Sequence, residues 1–166
     1  TTVMLAWDKA KDFITKAFTI IFAATVVIWF LQTFDIRFNV VADQSQSLLA
    51  GLGSIIAPAL APLGFGDWRA STALVTGLIA KESVISTLTV LLGATSPAVL
   101  STMFSPFTAY VFLVFTLLYP PCVASIGAVK SELGARYAVA VFAFQVTVAW
   151  TVAFVVHSAG ILLGLA

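Results

Sequence analysis

Charge is scarce in this sequence. Only 9% of its residues are Asp, Glu, Lys or Arg, against about 25% in an ordinary soluble domain. Cysteine occurs once, at Cys122, which excludes an internal disulfide and any zinc site built from cysteine pairs. The net charge of +1 and the lack of a basic stripe argue against nucleic-acid binding as the main task. No phosphate loop G-x-x-x-x-G-K-[ST], no H-E-x-x-H and no G-x-S-x-G is present, so the chain is not read as an enzyme. No basic segment precedes a short apolar core near Thr1, so a cleavable signal peptide is not expected. A start at Thr1 reads instead as a piece cut from a longer protein.

Apolar residues fill the space that charge leaves. They make up 61% of the chain, the mean hydropathy is +1.09, and the 14 phenylalanines and four tryptophans suit a lipid-facing surface with interfacial anchors. The expected fold is all-α: a polytopic membrane helix bundle with a re-entrant hairpin and a proline-broken helix, forming one module over residues 1–166.

Along the chain, residues 7–17 carry Lys9, Lys11 and Lys16 and lead into an apolar run ending at Phe34. From Phe13 that run is about 22 residues or roughly 33 Å as a helix, enough to span, with the lysines favouring a cytoplasmic start. Residues 35–46 form a polar loop. Ser47–Leu60 is too short to cross and reads as a half-helix, weakened by Gly51, Gly53 and Pro58. After a Pro62–Trp68 turn with Asp67 as a cap, one helix is expected from Ala70 to Leu92, stopping at Gly93. A loop over 94–105 precedes Ser105-Pro106, an N-cap and first-turn pair. Phe107–Tyr119 is apolar, breaks at Pro120-Pro121, and resumes over Cys122–Ser131; Tyr137–Leu165 is a last long helix. Lys130 and Arg136 also belong in the cytoplasm, so an even number of crossings must separate them from the first lysines. Pairing Ser47–Leu60 with Thr72–Leu92 as a re-entrant hairpin satisfies that parity.

Two groups of residues can carry chemistry. Lys81 and Glu82 stand together inside an apolar stretch, where a charge costs roughly 2.5–3.5 kcal/mol and must find a partner, water or an ion. Glu82, Ser86 and Thr89 share a helical stripe, with Thr76, Ser83 and Thr87 beside it, so Glu82 is a candidate cation ligand. The competing reading is that Lys81 or Glu82 pairs with Asp67, Arg69 or another helix and orders the bundle. In the second group, Pro120 and Pro121 each lack an N–H and must unwind the helix, freeing carbonyls near residues 116–118. Such unwound backbone builds ion sites in transporters. Cys122, at the restart, would be favoured as a thiolate, a soft ligand for a late transition metal. Alternatively it is a small hydrophobe beside a kink. His157, alone on the last helix, reads as a packing or interfacial residue.

Pro62-Leu63-Gly64-Phe65 with Asp67-Trp68, then Gly77-Leu78-Ile79-Ala80-Lys81-Glu82, then Leu118-Tyr119-Pro120-Pro121-Cys122-Val123-Ala124 resemble ferrous iron transport protein B. The resemblance is to the C-terminal part of its membrane region, including the second of two Gate-type repeats, and covers essentially the whole chain. It implies passage of Fe²⁺ through the bacterial inner membrane into the cytoplasm. GTP and Mg²⁺ would act only through a domain outside this chain, and the first Gate repeat or a split subunit would be a partner beside the lipid bilayer. It places Cys122 on the path as ligand or gate. With Glu82, the hydroxyls of Ser86 and Ser125 or carbonyls near Leu118 would complete a transient shell, and Lys81, Tyr119, Pro120 and Pro121 would frame it. The other readings are a nucleoside-type Gate carrier and a structural membrane-assembly module.

Overall fold

The computed structural model describes residues 2–81, 83–93 and 100–164. Among these, every regular element is helical apart from a single Phe34–Val40 bridge. The first helix, α1 (Thr2–Thr33), is continuous, but its apolar part is Phe18–Thr33. That is shorter than the expected 13–34 span, because Asp12 and Lys16 interrupt the apolar run one turn apart. A tight loop follows in which the Asp35 carboxylate accepts the N–H groups of Arg37 (2.7 Å) and Asn39 (2.9 Å).

Ser47 then caps α2 (Leu48–Leu60), its hydroxyl accepting the Ala50 N–H at 3.1 Å. Asp67 caps α3 (Trp68–Gly77) through the Arg69 N–H at 2.7 Å, as the sequence led us to expect. Leu48–Leu63 and Trp68–Gly77 meet at a bend of 104°. Gly53 lets the two helices touch, since a Cβ there would strike the Trp68 carbonyl and the Thr72 side chain. Of the weak-helix residues of α2, Gly53 thus serves close packing, whereas Gly51 faces open space.

The single helix expected over Ala70–Leu92 is not formed. The structure places α3 up to Gly77 and α4 over Ser83–Leu91, with the described residues 78–81 outside both helices. The hydroxyls of Thr76 and Thr87 touch at 3.0 Å. On one straight helix, eleven residues would separate them by roughly 16 Å along the axis. The chain therefore turns back on itself, so the expected hairpin of Ser47–Leu60 with Thr72–Leu92 is corrected. Its second arm is itself two helices, folded at Lys81.

The loop expected over 94–105 contains a short helix, α5 (Leu100–Met103), with residues 94–99 outside the described residues. Then α6 (Pro106–Leu118) starts on the predicted cap, the Ser105 hydroxyl accepting the Thr108 N–H at 3.1 Å. The chain breaks at Tyr119–Cys122 and resumes as α7 (Val123–Leu133). Gly134, at φ 93, turns it into α8 (Ala135–Leu162). Among the described residues, Pro106–Leu133 taken through its break and Ala135–Leu162 are each long and apolar enough to cross a membrane. The bent pair of α2 and α3 is a third such segment if it counts as one span.

The core gathers between α3, α4, α6 and the inner edge of α8. Phe65 stands edge-on to Phe112 (5.2 Å between centroids) and Phe115 (5.6 Å), while Tyr119 stacks on Phe115 (5.9 Å). Only small residues of α8, Ala149 and Ala153, reach this core fully, so α6 and α8 lie close. The Trp150 indole N–H donates to the Ala59 carbonyl at 2.9 Å and ties α8 to the end of α2. The outer faces of α1 and α8 leave Phe18, Phe22, Trp29, Phe144 and Val155 exposed, as a lipid-facing surface would.

Candidate functional site

Two interrupted helices meet, and each supplies what the other lacks. At the first interruption, α3 ends on Gly77, where a Cβ would collide with the Val84 side chain and the Tyr119 hydroxyl. The next turn tightens, with the Leu78 N–H on the Val75 carbonyl (3.3 Å) and the Ile79 N–H on that of Thr76 (3.0 Å). Ala80 accepts both the Ser83 N–H (2.9 Å) and the Ser83 hydroxyl (2.7 Å), which starts α4.

At the second interruption, α6 stops at Tyr119, whose backbone is extended (φ −66, ψ 166). Pro120 and Pro121 bring no N–H to the carbonyls one turn earlier. Two acceptors of the break are taken up. The Lys81 ammonium donates to the Leu117 carbonyl at 3.1 Å and the Tyr119 carbonyl at 3.0 Å, and lies 5.0 Å from the centre of the Tyr119 ring. In return, the Val123 N–H at the start of α7 donates to the Leu78 carbonyl at 2.8 Å. The Tyr119 hydroxyl reaches back to the Leu74 carbonyl at 3.4 Å.

These magnitudes settle how Lys81 is held. A hydrogen bond to a charged group contributes about 1.5–3 kcal/mol and a cation–π contact about 0.5–2. Two such bonds and one ring come to about 3.5–8 kcal/mol, which covers the roughly 2.5–3.5 kcal/mol needed to place a lysine inside a span. No carboxylate is required. Of the pairings weighed from the sequence, Lys81 takes the one with another helix, α6, and not the one with Asp67, which caps α3; the Arg69 guanidinium lies 5.4 Å from the Trp68 ring, and any pairing of Glu82 lies outside the described residues.

Cys122 stands at the N-cap of α7, half-buried, with its Sγ 3.5 Å from the Ser125 Oγ. The Cys122 carbonyl accepts the Ser125 N–H (2.9 Å) and the Ile126 N–H (3.2 Å), so the thiol is fixed on the first turn. The structure thus brings Cys122, Ser125, Lys81, Tyr119, Pro120 and Pro121 to one place. Ser86 is exposed on α4, and no hydrogen bond joins it to Cys122 or Ser125. Glu82 lies outside the described residues. No group of three or more His, Cys, Asp or Glu able to hold a metal occurs among the described residues. His157 packs over Gly64, as a packing residue should.

Sequence reasoning missed the backbone partners: the Leu78 carbonyl, the Thr76–Thr87 hydroxyl pair and the close approach at Gly77. A signal was available. A lysine in an apolar stretch needs acceptors, and the prolines 39 and 40 positions later free some.

The Gate family, described as nucleoside recognition, matches residues 14–136. Among known proteins, the chain is 35% identical to the Fe(2+) transporter FeoB of Methanocaldococcus jannaschii over 95% of its length and 25% of that protein's. It is 34% identical to the Fe(2+) transporter FeoB of Staphylococcus aureus strain COL, covering 93% of this chain and 24% of the relative. A Porphyromonas gingivalis protein named as a fusion of Fe(2+) transport protein A with Fe(2+) transporter FeoB is 30% identical, over 94% of this chain and 24% of its own. The chain spans about a quarter of the length of these relatives. No solved structure matches it. With most of its length under the family match and its two breaks built from the residues that resembled a Gate repeat, the chain belongs to the Gate family.

Proposed function

We propose that this chain is one half of a path for Fe²⁺ across the bacterial inner membrane into the cytoplasm. Cys122 is the soft ligand, Glu82 the carboxylate, and Ser125 and, more weakly, Ser86 supply hydroxyls. Lys81, Tyr119, Pro120 and Pro121 form the gating frame. The observation that carries the reading is the meeting of two helix breaks, with the Val123 N–H on the Leu78 carbonyl and a thiol at the same restart. Interrupted helices of this kind place unwound backbone and half-helix termini around ions in transporters. A thiolate with few hard ligands favours Fe²⁺ over Na⁺, Ca²⁺ or Mg²⁺. A sparse shell also suits transport, because a conducted ion has to leave as well as arrive. The names of the relatives, Fe(2+) transporter, support the cargo.

The remaining three quarters of such a protein would supply a GTP-binding domain with its Mg²⁺ and the first Gate repeat. A transport protein A is a candidate partner, by the fused relative. This chain moves its cargo without chemical change, so it is a carrier module and not an enzyme. The family description, nucleoside recognition, favours one rival, a carrier in which the break offers hydrogen bonds to a nucleoside and the thiol is incidental.

The test is Cys122→Ser in the full-length transporter. Ferrous uptake should fall at least roughly tenfold, the scale on which a damaged metal site loses affinity. Unchanged uptake at normal expression rejects the thiol ligand, and nucleoside uptake by both forms establishes the rival. Glu82→Gln should lower uptake with folding intact; loss of folding instead assigns Glu82 to the bundle.

A further inference from the structure

The position a permeating cation would take at the proline break is already filled, by a cation belonging to the protein. The Leu117 and Tyr119 carbonyls and the face of the Tyr119 ring form three sides of a small cage, and the Lys81 ammonium sits in it at 3.1, 3.0 and 5.0 Å. Carbonyl oxygens of unwound backbone are the groups that coordinate ions in broken-helix transporters, and an aromatic face attracts the same charge. We infer that Lys81 is a tethered cation plug: its ammonium holds the cage of the second break shut, and an ion passes only after the side chain withdraws. The inference rests on reading the crossed breaks as a path, but not on iron as the cargo.

Three features make the plug movable yet closed by default. Lys81 reaches the cage from the other interruption, 36 and 38 residues away in sequence, so the closure joins two separate elements. Its flexible four-carbon stem can carry the ammonium away without unfolding either helix. The cavity of about 240 Å³ beside it is walled mostly by apolar side chains, among them Val84, Leu88, Phe112 and Leu117, and the Thr116 hydroxyl on the same wall already donates to the Phe112 carbonyl at 2.8 Å, so an ammonium finds weaker contacts there than in the cage. Withdrawal therefore has to be driven, by an arriving cation or by the rest of the transporter. While Lys81 stays, its positive charge also opposes a divalent ion at neighbouring Cys122.

The experiment uses the full-length transporter in liposomes, without nucleotide, and reads influx of Tl⁺, a monovalent probe that carbonyl cages accept. Lys81→Ala should raise influx roughly tenfold, and millimolar n-butylammonium, which carries the same charged head on an alkyl stem, should suppress the leak. Lys81→Arg, which keeps a cation on a long stem, should leak less than Lys81→Ala. A monodisperse Lys81→Ala protein with no leak overturns the inference, and so does a leak that n-butylammonium leaves untouched. If Lys81→Ala does not fold, Tyr119→Leu decides: it keeps both carbonyls and the lysine but removes the ring, and should leak detectably. Tyr119→Phe, which keeps the ring, should not leak; silence from Tyr119→Leu sinks the plug. A Tl⁺ leak in Lys81→Ala alongside normal iron uptake by Cys122→Ser keeps the plug and removes the iron ligand.

Discussion

The two helix breaks look alike in outline and differ in origin. The one at Tyr119–Cys122 is covalent: two prolines withhold two N–H groups, and the α-helix stops whatever surrounds it. The one at residues 78–81 has no proline. Its residues are ordinary helix material, and the chain turns there because the fold offers better partners than the next helical turn does. The Lys81 ammonium finds two carbonyls, the Leu78 carbonyl finds the Val123 N–H, and Thr76 finds Thr87. The first break creates unsatisfied acceptors, and the second spends its own helical bonds to satisfy them. A break imposed by one segment is thus completed by a second segment, and neither is stable alone in an apolar setting where unpaired backbone is costly.

The comparison can be attacked at its tightest point. Gly77→Leu would force a side chain against Val84 and the Tyr119 hydroxyl, so it should destabilise the fold by about 1–3 kcal/mol or more. Thermal unfolding of the detergent-solubilised protein measures this. A neutral result would mean that the 78–81 break does not depend on that contact.

Replacing Pro120 and Pro121 together by alanine tests the covalent break. With N–H groups restored, α6 and α7 should join into one helix, reclaim the Leu117 carbonyl, and leave the Lys81 ammonium short of a partner. Loss of a hydrogen bond to a buried group costs about 1–3 kcal/mol, and labelling of Cys122 by a thiol reagent should slow as the thiol leaves its helix start. Unchanged labelling would show that the break outlives its prolines.

The smaller contacts sharpen the picture. Thr76→Val and Thr87→Val should each cost about 0.6 kcal/mol and the double variant no more than either alone, the scale of such pairs between membrane helices. Full additivity in unfolding measurements would show that the two hydroxyls do not act as a pair. Outside the bundle, the Asp35 carboxyl is held below the usual carboxylate range, first by the Asn39 N–H and then by that of Arg37. A depressed folded value means that its contribution is present above the unfolded carboxylate pKa and is lost as pH falls through the folded one. The protection of the Arg37 and Asn39 amides against exchange, relative to their intrinsic rates, should therefore fall only in acid, and Asp35→Asn should abolish that pH dependence.

Much of this was legible before any coordinates. Scarce charge and abundant Phe, Leu and Val fixed a membrane helix bundle, because only helices satisfy their own backbone without water. Ser105-Pro106, Asp67 and Gly93 marked helix ends through chemistry local to each residue, and the proline pair announced the break after Tyr119 in the same way. Lys81 announced only a need. The sequence showed a charge that had to be met, and nothing near it in the chain says by what.

Tertiary structure decided the rest. It split Ala70–Leu92 into two helices, brought Thr76 onto Thr87, and delivered Lys81 to carbonyls 36 and 38 residues away. The reason is physical: caps and prolines act within one turn, whereas the choice between continuing a helix and breaking it at residue 78 depends on hydrogen-bond partners that exist only once α6 and α7 are in place.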